Sequence, residues 1–154
     1  MEAIRGFFSH PIVVRLCRIA IGLIFIAAAL GKLGDLRAFA LQVHNYRLAP
    51  IWSQNLLAMT LPWIEILAGV ALVVGVRARA GAVIVLALMV IFTFAVGAAW
   101  ARGLDFECGC FGKASAARIG ATKFFENIGL IVLALVATLQ PRRAEPAPPP
   151  EAAA

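Results

Sequence analysis

Charge is scarce in this sequence. Of 154 residues, 14 are Lys or Arg and 8 are Asp or Glu, 14% in all, where a soluble domain carries about 25%. A water-soluble globule needs polar side chains to cover its surface, so that class is excluded. The basic residues form no stripe interleaved with aromatics. The net charge of +6 is therefore read as charge flanking an anionic lipid surface, not as a nucleic-acid footprint. No strand-like alternation of apolar and polar residues is present, which excludes a transmembrane β-barrel. Cysteine is limited to three residues, with no CxxC pair and no haem-attachment motif.

What the chain does have is apolar length. Hydrophobic residues make up 62% of it, and the mean hydropathy is +0.92. Four runs read as membrane spans, about 12–33, 54–76, 80–101 and 121–139. A span needs about 20 residues at roughly 1.5 Å rise each. The first three runs reach that length comfortably, and the fourth does so if its helix begins near Ala121. Arg15 and Arg18 at one end of the first run, and Lys32 at the other, are expected to snorkel towards water. A cleaved signal peptide is the alternative for that run, but its length and its continuation into a helical pattern favour a span. The expected fold is all-α: a polytopic bundle of four transmembrane helices over residues 1–140, then a Pro/Ala-rich tail, 141–154, expected to be disordered.

The connections differ in kind. Between the first two spans, Leu36, Phe39, Ala40, Val43 and Tyr46 recur at helical spacing. That pattern predicts an interfacial amphipathic helix over about 35–47, ended by Pro50. Arg77, Ala78 and Arg79 make a tight turn between spans two and three. Seven Lys and Arg fall on the side of the termini and that turn, and seven on the opposite side, so the count alone is a tie. Three arginines precede the first apolar core. Their weight favours cytoplasmic termini in a bacterial inner membrane, with the first and third connections periplasmic.

Chemistry concentrates in Phe106-Glu107-Cys108-Gly109-Cys110-Phe111-Gly112 on the third connection. Two cysteines two apart bring their Cα atoms within disulfide range, and Gly109 eases the closing of so small a ring. Strained, exposed disulfides are the labile and catalytic ones, and a periplasmic loop permits them. Two thiolates also suit a soft metal such as Cu(I), Zn or Hg, with His44 as a further ligand from the amphipathic helix. A permanent structural disulfide, or two inert thiols, is the third reading. Elsewhere, Glu65 lies near the middle of the second span, where a carboxylate must be paired, protonated or facing a polar cavity. It is a candidate quinone or proton site, against the alternative of a structural interhelical hydrogen bond. Pro62, three residues earlier, can bend the helix around it. Lys32 and Asp35 are read as an interfacial ion pair, and Cys17 as a packed, inert thiol.

GKLGDLRAFALQVHNYRLAP at 31–50, LPWIE in the second span and CGCFG after the third resemble the DoxX-like, MauE branch of small four-helix membrane proteins. The resemblance covers about Arg15 to Leu139. It implies a four-helix membrane bundle, quinone-linked sulfur or thiol redox chemistry, and maturation of disulfide-containing periplasmic enzymes. Carried over residue by residue, it makes Cys108 and Cys110 the redox pair and Glu65 the buried acid. One departure is Glu126-Asn127 near the start of the last span, where the pattern has Arg-Asn; a positive partner expected there is missing. The leading functional expectation is a thiol–disulfide component, in effect a quinone-linked oxidoreductase. It would pass electrons between a periplasmic protein or small thiol and the quinone pool or another membrane carrier, with no covalent cofactor. The alternatives are a non-catalytic accessory subunit of a larger membrane complex, and a soft-metal carrier.

Overall fold

The computed structural model describes residues 10–106 and 118–139. The Cys-Gly-Cys element and the Pro/Ala tail fall outside that range. Four helices are long and apolar enough to cross a membrane: α1, Pro11–Leu33; α3, Ile51–Val74; α4, Ala78–Ala101; and α5, Ala121–Thr138. A short helix, α2, Leu36–Asn45, lies between the first two. The chain is an all-helical, multi-pass membrane protein.

Local sequence sets the helix ends. Pro11 opens α1, where its fixed φ suits the first turn and its missing N–H is not needed. Asp35 caps α2, its carboxylate accepting from the Ala38 N–H at 2.9 Å. The helix that the hydropathy pattern starts near Gln54 begins instead at Ile51, directly after Pro50. The Gln54 side chain then turns back to donate to the Ala49 carbonyl at 3.0 Å. Gly75 ends α3 in the left-handed conformation, φ 84°, and its N–H closes on the Ala71 carbonyl. Pro62 lies within α3 without ending it.

The four long helices pack in the cyclic order α1, α3, α4, α5, each against two neighbours. Their core is built from Ile21 and Phe25 of α1, Ala68 and Leu72 of α3, Ala82, Val85 and Met89 of α4, and Ala134 and Ala137 of α5. The outward faces carry Leu23, Leu67, Phe94 and Val132 into lipid. In a bilayer the tails are as apolar as the core, so close packing of small residues must supply the association. α1 and α3 meet most closely at Gly22 and Gly69, where a Cβ added to either would stand 2.8 Å from the carbonyl of the other. At the far end, Arg18 of α1 donates to the carbonyls of Ala137 and Leu139 at 2.8 and 2.9 Å. A cation there satisfies the last turn of α5 and its dipole.

The crossing generates a prediction. Gly22→Val or Gly69→Val should force the helices apart and cost about 1–3 kcal/mol, read as a lowered unfolding midpoint in detergent. Gly129→Ala is the control, since nothing lies within 4 Å of its added Cβ. Equal midpoints for all three variants would show that the close approach is not required.

Candidate functional site

The most consequential contact joins α1 to α3. Lys32 Nζ lies 2.5 Å from Glu65 Oε1, with the two side chains 2% and 1% exposed. Neither the snorkelling expected of Lys32 nor its pairing with Asp35 describes this arrangement. Helix geometry explains the difference. Side chains lean towards the N-terminus of their own helix. Lys32 stands at the C-terminal end of α1, so it leans into the bundle. Glu65, on the antiparallel α3, leans the opposite way and meets it. From the Gly22–Gly69 crossing, ten residues of α1 and four of α3 leave an axial gap of about 9 Å, which the two inclined side chains close.

Aromatic rings complete the surroundings of the ammonium. Nζ lies 5.3 Å from the centroid of Phe39 and 5.0 Å from that of Phe92, within range of a cation–π attraction. Phe39 comes from α2, so this charge also fixes the short helix over the bundle. The positive charge beside Glu65 comes from α1. Glu126 pairs on the surface with Lys123 at 2.6 Å, while Asn127 is buried, 4% exposed. Glu65 and Asn127 line a small cavity of about 20 Å³.

Lys32 also lines a second, larger space. A groove of about 330 Å³ runs between α2, α3 and α4, walled by Phe39, Val43, Tyr46, Leu61, Leu88 and Phe92 among others. Its walls are almost wholly apolar, so the lysine is its main polar feature. At the rim, the Tyr46 ring meets Phe106 edge-on with centroids 4.9 Å apart. Burial pushes the Tyr46 phenol above its ordinary value, keeping it neutral. Arg102 donates to the Tyr46 carbonyl at 2.7 Å, and the Ile119 N–H to the Phe106 carbonyl at 3.0 Å. The third connection is therefore tied down on both sides, beside the groove.

The sequence-predicted residues fare differently. Glu65 is paired with Lys32, one of the outcomes its position demanded. Cys108 and Cys110 lie outside the described residues. His44 donates from Nδ1 to Gln54 Oε1 at 3.0 Å; the Gln54 amide nitrogen is committed to Ala49, which fixes these roles. Its ring joins α2 to α3. Among the described residues no group of three His, Cys, Asp or Glu could hold a metal. Cys17 is half-buried and unpaired. Sequence reasoning missed Lys32 as the partner of Glu65 and the burial of Asn127. The signal was present: one ammonium and one carboxylate set in otherwise apolar helices.

Breaking a buried ion pair costs about 3–5 kcal/mol, whereas replacing both partners by apolar residues is often neutral. Glu65→Leu and Glu65→Gln should each lower stability by that order, since both strand the Lys32 ammonium. Lys32→Met combined with Glu65→Leu should restore most of it. Unfolding midpoints measured in one detergent, taken as a double-mutant cycle, check this; additive losses would show that the pair is not coupled.

Comparison with known proteins fits this architecture. The family described as methylamine utilisation protein MauE matches residues 10–140. A methylamine utilization protein MauE from Paracoccus denitrificans is 34% identical over 130 residues, covering 84% of this chain and 70% of the relative. The Methylorubrum extorquens protein of that name is 33% identical over 132 residues, 85% and 71% of the two chains. The one from Methylophilus methylotrophus is 30% identical over 135 residues, 86% and 71%. No solved structure gives a significant match. On a match that spans all four transmembrane helices, this chain belongs to the MauE family.

Proposed function

We propose that the chain is a membrane thiol–disulfide component acting in methylamine utilisation, the process named for its relatives. Cys108 and Cys110 exchange with a periplasmic protein or small thiol, and the electrons pass to a quinone in the groove. One observation supports this reading: Phe106, the last described residue before the cysteines in the sequence, packs on Tyr46, which lines the groove. Cys108 follows two residues later in the sequence.

The groove suits a quinone. An isoprenoid-bearing ring needs apolar, aromatic walls and a donor for its carbonyl oxygen. Phe39, Phe92 and Leu61 supply the walls and the Lys32 ammonium the donor. A quinone supplies, when bound, an acceptor for the two electrons and two protons released as a dithiol closes to a disulfide. Lys32 orients the head group, and Glu65 keeps the lysine in place.

Orientation follows from charge. Lys32 is consumed inside the bundle by Glu65, so it leaves the loop count. Seven basic residues then remain on the side of the termini (Arg5, Arg15, Arg18, Arg77, Arg79, Arg142, Arg143) against six opposite. The positive-inside rule accordingly puts the termini in the cytoplasm and the cysteine loop in the periplasm of the bacterial inner membrane.

The test uses a Cys17→Ala background, leaving the loop cysteines alone. In intact cells, after mild reduction, a membrane-impermeant maleimide should label both. Adding Cys110→Ser should trap a reductant-sensitive mixed disulfide through Cys108, and Cys108→Ser with Cys110→Ser should abolish methylamine-dependent growth. An accessory subunit with a structural disulfide predicts no adduct and reduced stability in either single variant. Labelling confined to inverted vesicles would reverse the topology, and growth without both thiols would refute the redox role.

A further inference from the structure

Two buried polar atoms in the described bundle have no hydrogen-bond partner: Glu65 Oε2 and Asn127 Nδ2. The first belongs to α3 and the second to α5. Both residues line the same cavity of about 20 Å³, whose remaining wall includes Lys32, Phe25, Ala28 and Met89. A buried donor or acceptor left unsatisfied is costly, and here one of each belongs to residues lining the same cavity.

Chemistry narrows what the cavity takes. A carboxylate oxygen only accepts, and an amide nitrogen only donates. An occupant serving both must donate to one and accept from the other. A cation would add charge beside the Lys32 ammonium, and an anion would add it beside the Glu65 carboxylate. The occupant is therefore neutral. It is also small: one water needs a cavity of at least about 10–15 Å³ by this measure, and about 20 Å³ is present, which suits one water.

We propose that this cavity binds a single internal water, which accepts from Asn127 Nδ2–H and donates to Glu65 Oε2. A hydrogen-bonded line then runs from α5 to α3 to α1: Asn127, the water, Glu65 and Lys32. Its consequence is a choice between two forms of the short Lys32–Glu65 contact. In an apolar interior such a pair can exist as ammonium and carboxylate, or as amine and carboxylic acid after a proton shift. A hydrogen bond donated to the carboxylate favours the charged form. Asn127 is thus a positioning residue: through the water it holds Glu65 ionised, and so holds Lys32 as an ammonium facing the groove. The water site stands independently of the thiol reading, because it concerns the resting protein without partner or groove ligand.

The test is infrared spectroscopy of the full chain in lipid nanodiscs at neutral pH, comparing ordinary water with oxygen-18 water. The parent protein should show an isotope-sensitive O–H stretch from one strongly bonded internal water and no carbonyl band from a buried carboxylic acid. Asn127→Leu should lose the water band and gain the carboxylic-acid band, which shifts down in deuterated water. Asn127→Ser, which retains a donor, should keep the parent spectrum. Ala28→Val fills the cavity from its apolar wall, touches no polar group and should also remove the water band. It decides the matter if Asn127→Leu fails to assemble. The proposal is overturned if the parent lacks the water band or already carries the acid band. It is equally overturned if the water band survives in Asn127→Leu or in Ala28→Val, whichever assembles, or if Asn127→Leu loses the water with Glu65 still ionised.

Discussion

An ammonium and a carboxylate placed on two apolar helices within a bilayer have few acceptable arrangements. Each alone is expensive in hydrocarbon, and together they are tolerable only at hydrogen-bonding distance. Lys32 and Glu65 meet that condition at 2.5 Å. The pair need not add much net stability, because desolvation offsets the attraction. Its effect is on selection: any register of α1 against α3 that separates the charges is heavily penalised. The Gly22–Gly69 crossing sets the distance between the helices, and the ion pair sets how far one is slid along the other.

Other features follow from that register. With Lys32 turned inward, its ammonium becomes the contact point for Phe39 and Phe92. α2 is thereby held over the bundle by an aromatic ring on a charge as well as by the His44–Gln54 bond. Holding α2 there creates the groove, since α2 supplies one wall and α3 and α4 the others. A space of that size in an all-apolar bundle would tend to collapse, but a fixed charge at its edge resists closure by aliphatic side chains.

The fold was largely legible because membrane spans announce themselves by length and composition, without knowledge of tertiary contacts. Helix α2 was legible too, from spaced apolar residues and the Asp35 and Pro50 boundaries. The site was legible in its parts and not in its assembly. Glu65 stood out as a lone acid, yet its partner lies 33 positions away in sequence and at a different depth by simple counting. Only the inclination of side chains on antiparallel helices brings the two together, and the crossing that fixes their offset depends on two glycines among thirteen. Asn127 was noticed as half of a departure from a family pattern. One amide near the start of a helix carries no mark of burial until α5 is docked. Cys108 and Cys110 were conspicuous for the opposite reason: a short motif needs no fold to be recognised.

Polar features are unevenly shared between the two ends of the bundle. The end holding Gly75–Arg77 and the start of α1 is closed by Arg18 on the last carbonyls of α5, a purely structural task. At the other end, Arg102 ties the third connection to the first through the Tyr46 carbonyl, Asp105 pairs with Arg118 within the third, and Asp35 caps α2. Tyr46 is common to both sets of contacts there, lining the groove with one part of its ring and meeting Phe106 with another. A side chain packed on two sides transmits displacement, since a close-packed interior has little slack to absorb it. Anything that seats in the groove against Tyr46 therefore also bears on Phe106, which stands two residues before Cys108 in the sequence. That mechanical link is short: one ring on one ring.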